Sequence, residues 1–354
     1  MRFDLDISCA DSGEPYSLAF GKFIDSVKNL PDTPFATIIK CAICYNIRYA
    51  TEKVIDENQE PTHLFKKILE EHTSVLLSMV GLGEKFTSLS EENFFNVENK
   101  VGCHYGNLFK AFDDDHYFNE TVDLLKTRLS RNNFDFSYVD GKRALDAGCG
   151  GGRYTVALKK IGFKEVVGVD ISEIGINDAR KRIEKNKIEG VSFVVGSVLG
   201  LPFKDNDFDF VFSNGVLHHT SSISDGIKEM VRVLKPNGIG WLYLINVPGG
   251  IYWDMVDALR FLMKDVPIDL ARETFRIMGV PTNKIFYMLD HVMVPINTKL
   301  TDEKIQRILL KCGAKNIKRL NRGTNFDSTE RIYQSIPFAK EKYGVGQHRY
   351  FFSK

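Results

Sequence analysis

Arg143-Ala-Leu-Asp-Ala-Gly-Cys-Gly-Gly-Gly-Arg-Tyr-Thr-Val-Ala157 reads as a buried strand that runs through a glycine loop into a helix. Ala144 and Leu145 supply the apolar strand end, and Tyr154 to Leu158 begin the helix. Gly148, Gly150 and Gly152 let the backbone turn tightly and come close to a ligand where a Cβ would collide. A loop of this composition, opening onto a helix N-terminus, cradles a nucleotide.

Two nucleotide readings compete, because a glycine-rich strand-to-helix turn also binds dinucleotides when written GxGxxG with an acidic residue roughly 20 positions on. That pattern, begun at Gly148, needs a small residue at position 153, and Arg153 stands there. The chain instead has Asp-x-Gly-x-Gly-x-Gly from Asp146 to Gly152, followed by Val166-Val-Gly-Val-Asp170. This second buried strand ends in a carboxylate. In a doubly wound sheet the carboxyl ends of the first two strands meet at the ligand crevice, so Asp170 is placed to accept two ribose hydroxyls.

These motifs resemble those of the class I S-adenosylmethionine-dependent methyltransferases, in the branch that includes the ubiquinone/menaquinone C-methyltransferase type. Further along, Val191-Ser-Phe-Val-Val-Gly-Ser197 is similar to the third strand of that family and Asp207-Phe-Asp-Phe-Val-Phe-Ser-Asn214 to the fourth. Met230-Val-Arg-Val-Leu-Lys-Pro-Asn-Gly238 is similar to the helix and turn before the fifth. The resemblance implies an α/β fold: a seven-stranded, doubly wound, mostly parallel Rossmann-like sheet whose last strand is antiparallel. It also implies S-adenosylmethionine as cofactor, held by Asp146, Gly148, Gly150, Gly152, Asp170, Ile171, Ser197, Val198 and Asn214. Tyr105, before the first strand, is the candidate aromatic near the methionine end. Ser197 departs from the family, which usually has Asp there. A hydroxyl still accepts from the adenine amino group, but as an uncharged partner.

After the fourth strand comes Ser213-Asn-Gly-Val-Leu-His-His-Thr220. In similar enzymes this loop passes beside the transferable methyl. Imidazole titrates near neutral pH and can take a proton from an oxygen or nitrogen nucleophile, so His218 is the first candidate base and His219 the second. A loop-anchoring role for the pair is the alternative. The resemblance implies methyl transfer, with oxygen or nitrogen of a small polar or amphipathic metabolite as the acceptor. The competing functions are a regulatory or scaffolding protein that binds S-adenosylmethionine without transferring it, and a NAD-dependent oxidoreductase, which Arg153 disfavours.

Outside the core, residues 1–130 read as a helical cap and residues 131–354 as the catalytic domain, with insertions at 248–300 and 321–348. The 354 residues exceed what one core usually serves. From Pro15 to about Asn99 the apolar spacing is helical, punctuated by Pro31-Asp32, Glu60-Pro61 and Gly81-Leu-Gly83. This layer is a candidate surface for a homodimer. The fifth strand, Gly238 to Asn246, should lead directly to a helix, but that helix starts only at Thr301 or Asp302. The aromatic-rich stretch between them reads as a substrate lid, in which Tyr287, Asp290 and His291 are polar groups needing partners. Tyr287 and His291 are further catalytic candidates. The second insertion carries Arg322, Asp327, Arg331, Tyr333 and Tyr343 as other sources of substrate contacts.

Charge excludes one class of partner. With 47 Lys plus Arg against 46 Asp plus Glu there is no electrostatic footprint for nucleic acid. No run approaches the ~20 apolar residues needed to cross a bilayer, and the acidic start Met1-Arg-Phe-Asp-Leu-Asp6 lacks a signal core, which predicts a cytoplasmic protein without membrane partners. Cys41-Ala-Ile-Cys44, with Cys103 and His104, has metal-ligand spacing, but it lies in an apolar helical run where thiols pack as core residues, so no metal is expected. Asp113-Asp-Asp115 reads as a helix N-terminal cluster for the same economy of explanation.

Overall fold

A computed structural model describes residues 7–56, 60–80, 116–245, 249–278 and 280–354. Tyr105, Cys103, His104, the Asp113–Asp115 run and the start of the fifth loop at 246–248 lie outside the described residues. The chain divides into two compact units. Described residues within 1–95, 248–297 and 335–345 make a helical unit, and those within 96–247, 298–334 and 346–354 make an α/β unit.

In the helical unit, α1 (Ser17–Lys28), α2 (Pro34–Asp56) and α3 (Pro61–Val80) follow the turn signals of the sequence. Pro34 and Pro61 each open a helix at the position where a missing N–H costs nothing. In the α/β unit, α4 (Thr121–Arg131) leads to β1 (Arg143–Ala147), α5 (Arg153–Lys160), β2 (Glu165–Asp170), α6 (Glu173–Lys185) and β3 (Val191–Val195). Then come β4 (Phe208–Asn214), α7 (Ile223–Val233) and β5 (Leu234–Leu244). The chain next supplies α8 (Ile251–Met263), α9 (Ile268–Ile277) and α10 (Thr282–Val292) to the helical unit. It returns with α11 (Asp302–Lys311), β6 (Lys315–Arg319), α12 (Ser328–Tyr333), a short helical-unit segment α13 (Ala339–Tyr343), and β7 (His348–Ser353).

The sheet order is β3-β2-β1-β4-β5-β7-β6. Strands β1 to β5 pair in parallel, and β7 runs antiparallel between β5 and β6. Both faces are covered, which explains why β4 reads as a nearly continuous apolar run. Phe210 and Phe212 pack on one face with Leu125, Leu129 and Trp241, while Val211 packs on the other with Ile227, Met230 and Leu309. The turns into the helices are capped by side chains: Ser172 accepts from the Gly175 amide, Ser222 from Asp225 and Thr301 from Lys304. Thr301 is therefore the cap of α11.

The helical unit is organised on α8, which is buried on nearly every side against α1, α2, α3, α10 and α13. Its charged residues are enclosed and partnered. Tyr16 donates its hydroxyl to Asp254 at 2.6 Å, and Arg260 donates to the Val294 carbonyl at 2.7 Å. Cys41 and Cys44 are buried on α2, and burial pushes the Cys41 thiol up to about 12. Among the described residues no group of three or more His, Cys, Asp or Glu is arranged to hold a metal, and no helix is long and apolar enough to cross a membrane.

Candidate functional site

The loop between β1 and α5 has Gly148, Gly150 and Gly152 at φ +87°, +53° and +83°, a left-handed backbone that side chains resist. Space is equally restrictive. A Cβ on Gly148 would lie 2.3 Å from Val216 Cγ1, and one on Gly152 2.6 Å from the Phe193 ring. The loop is tied to β2 through the Gly148 and Cys149 amides, which both donate to the Val169 carbonyl.

A cavity of about 180 Å³ opens beside this loop. Gly148, Cys149 and Gly150 form its floor, with Arg153 and Tyr154 from the first turn of α5 and Ile171 after β2. Ser197, Val198 and Leu199 follow β3, and Asn214, Gly215 and Val216 follow β4. His219 and Thr220 complete the wall.

Asp170 accepts hydrogen bonds from the Gly150 amide on one carboxylate oxygen and from the Ser172 amide on the other, both at 2.8 Å. Each oxygen keeps a second lone pair, and the residue is only partly covered, so two further donors can be received. Burial raises its pKa against those two amides. Asp146 is enclosed at 2% exposure and accepts from the Thr155 hydroxyl at 2.7 Å. Burial pushes it up to about 7, with Thr155 opposing and Asp170 adding to the rise. It shapes the loop from behind and is not part of the cavity lining. Cys149 is driven well above the usual thiol range by burial, so it is a packing group and not a nucleophile.

Ser197 Oγ accepts from the Leu199 amide at 3.2 Å, which fixes the turn after β3 and leaves the hydroxyl proton to donate. Asn214 Oδ1 lies 3.2 Å from Trp241 Nε1; an indole N–H only donates, so the oxygen of the Asn214 amide faces the tryptophan. The two histidines differ. His219 lines the cavity, whereas His218 is 4% exposed, packs edge-on against Tyr243 at 6.2 Å and offers its carbonyl to the Thr298 amide.

Of the residues singled out from the sequence, the structure brings Gly148, Gly150, Ile171, Ser197, Val198, Asn214 and His219 to the cavity. Gly152, Asp146 and Asp170 hold the loop around it. His291 belongs to the helical unit, where Tyr252 Oη lies 2.9 Å from its Nδ1 and Asp290 3.5 Å from its Nε2. The Tyr287 side chain lies outside the described residues. Two of the charged candidates in the second insertion are engaged within the protein: Asp327 is gripped by Arg128 and Arg349, and Arg322 is held by Glu330 and stacks over Tyr333 at 4.0 Å. Asp327 is too buried to stay unpaired, whereas Arg322 is partly exposed and is paired from the surface. Tyr154, Leu199, Val216 and Thr220, which also line the cavity, were not singled out as site residues. Arg153 did stand out in the sequence, but as the residue that breaks the dinucleotide pattern.

Residues 145–242 match the family described as a methyltransferase domain. The similarity of this segment to methyltransferase domains supports the class I S-adenosylmethionine-dependent methyltransferase reading. Demethylmenaquinone methyltransferase from Staphylococcus aureus (strain MRSA252) is 33% identical over 150 residues, covering 41% of this chain and 60% of the relative. The same protein from strain JH9 matches to the same extent. The chain thus spans 60% of the length of these curated relatives. Among solved structures, the YcgJ protein from Bacillus subtilis superposes with TM-score 0.42 and 17% identity, covering 66% of this chain and 98% of that one. A SAM-dependent methyltransferase from Aquifex aeolicus gives TM-score 0.41 and 16% identity, covering 70% and 97%. S-adenosylmethionine is the cofactor of the methyltransferase domain's family.

Proposed function

We propose that this protein transfers a methyl group from S-adenosylmethionine to an oxygen or nitrogen of a small polar or amphipathic molecule. The observation that carries the reading is the cavity itself: a left-handed glycine loop with no room for side chains, faced by the two-lone-pair carboxylate of Asp170. These residues fit the cofactor. Asp170 would take the ribose hydroxyls, Ser197 and the neighbouring Val198 the adenine, and Asn214 the amino-acid end. When bound, the cofactor supplies a methyl on a sulfonium, which is already a good leaving group. The chain's task is then alignment, exclusion of water and removal of a proton from the acceptor. His219, on the cavity wall, is the base in this reading, and His218 anchors its loop.

The similarity to demethylmenaquinone methyltransferases supports a competing acceptor, a demethylmenaquinone-like quinone. Two measurements decide. S-adenosylhomocysteine at ~100 times its dissociation constant should add about 2.7 kcal/mol of stability in a thermal melt, and NAD should add none. No response to S-adenosylhomocysteine sinks the reading. With labelled S-adenosylmethionine and a panel of hydroxyl, amine and quinone acceptors, His219→Ala should slow transfer about 10²–10⁴-fold for an oxygen or nitrogen acceptor. Label appearing only in the quinone would move the acceptor to the competing class.

A further inference from the structure

Inside the helical unit, α2 carries a polar stripe that the surrounding helices do not satisfy. Arg48 is 4% exposed and Thr51 is fully buried, and a spacing of three residues on a helix sets their side chains on one face, a turn apart. Arg48 Nε donates to Glu52 Oε1 at 3.0 Å. Its Nη1 is buried without a hydrogen-bond partner among the described residues, and so is the Thr51 hydroxyl. Burying a donor without a partner forfeits the hydrogen bonds it had in water, so two such atoms on neighbouring turns call for a ligand that completes them.

The ground around them is polar. Burial works against the charge on Arg48, and Tyr252 on α8 together with Glu52 outweighs it, so the guanidinium stays a cation. Tyr252 Oη lies 2.9 Å from His291 Nδ1 on α10, and Lys284 Nζ on the same helix reaches Glu52 at 2.6 Å. Glu52 is thus divided between two cations and meets the guanidinium through one nitrogen only. A guanidinium can only donate, and the Thr51 hydroxyl beside it has a proton to give. Two donors, one of them charged, are complementary to a monoanion with two oxygens on one carbon.

We propose that Arg48 and Thr51 form a binding site within the helical unit for a small molecule carrying a carboxylate, with Arg48 Nη1 and the Thr51 hydroxyl as its two donors. The site is independent of the cofactor reading, since its residues belong to the helical unit alone.

The test is thermal unfolding of the full chain in sodium formate, the smallest carboxylate, against sodium chloride at the same ionic strength. S-adenosylhomocysteine is present throughout, to keep formate out of the cavity beside the glycine loop. Formate should raise the melting temperature of the parent chain in a saturable way. Arg48→Met keeps a long side chain and removes the donor, while Glu52 keeps Lys284. It should need roughly tenfold to a hundredfold more formate for the same rise, the loss expected for a hydrogen bond to a charged group. Thr51→Val replaces the hydroxyl by a methyl of the same shape. It should melt no lower than the parent in chloride, because the hydroxyl has no partner to lose, and should need about tenfold more formate. If Arg48→Met does not fold, Thr51→Val decides alone. A formate response equal in the parent and the variants is a general salt effect and overturns the inference. No response at all overturns it as well and leaves Nη1 to an ordered water. Thr51→Val melting below the parent in chloride has the same force, since the hydroxyl then has a partner inside the protein. Failure of the cofactor reading shows separately, as no shift on adding S-adenosylhomocysteine, and leaves the formate result to stand.

Discussion

The α/β unit buries two groups of carboxylates and treats them in opposite ways. Around the glycine loop, Asp146 and Asp170 have no cation partner among the described residues, and burial raises both. In the β6–β7 connection, burial would also raise Asp327 and Glu330. There, Arg349 and Arg128 hold Asp327 well below the usual carboxylate range, and Arg322 with the Gly323 amide brings Glu330 to about 2. A buried carboxylate without a cation is costly to the fold; here the pair holds the glycine loop, Asp146 from behind it and Asp170 through the Gly150 amide. One surrounded by guanidiniums ties distant segments together.

The comparison breaks most visibly at Asp327. Asp327→Ala leaves Arg128 and Arg349 buried against an uncompensated neighbour, and chemical unfolding should show a loss of about 3–5 kcal/mol. An effect near zero would mean the cluster is not a tie. At Asp170 the expected cost lies in binding. Asn in that place turns one of its two oxygens into an N–H₂ that faces the Gly150 or Ser172 amide, donor against donor. Asp170→Asn should weaken S-adenosylhomocysteine and methylthioadenosine alike by about 1.5–3 kcal/mol, measured by titration calorimetry.

Asp146 gives the sharpest sign. Its folded pKa is about 7, above the 3.8 of the unfolded chain, so the folded state binds more protons between these values. Stability from this group is then lost as pH rises through that window. Asp146→Asn keeps an acceptor for Thr155 and cannot ionise. It should be more stable than the parent at pH 8 and equal to it near pH 4, as read from melts across pH. A parallel pair of pH curves would show that Asp146 titrates normally.

The sheet was legible because its signals are local. The glycine run, the apolar strands and the carboxylate closing β2 each lie within a few residues, and the third glycine's neighbour decided between two nucleotide families. The walls of the cavity were less so. His218 and His219 are adjacent in sequence, and which one faces the cavity is set by the single 3-10 turn Leu217–His219. Successive side chains there point in directions more than 100° apart, so one residue's shift in the turn exchanges their roles. Tyr154 read as an ordinary helix start because its partner, Arg128, lies in another helix and that helix's anchor, Asp327, is 199 residues away in the chain. Pairings of that separation leave no periodic trace. The polar residues of the 248–300 insertion invited a substrate reading for the same reason: Tyr252, the partner of His291, is 39 residues off.

The placement of β7 has a consequence for how the chain comes off the ribosome. It lies between β5 and β6, so β6 has no neighbour on the sheet until β7 arrives, and β5 keeps a bare edge for the same time. Arg349, one of the two clamps on Asp327, comes with that strand. Synthesis therefore passes through a stage in which the nucleotide end of the sheet is complete while two strand edges wait open, a period of exposure to wrong pairing that only the final insertion closes.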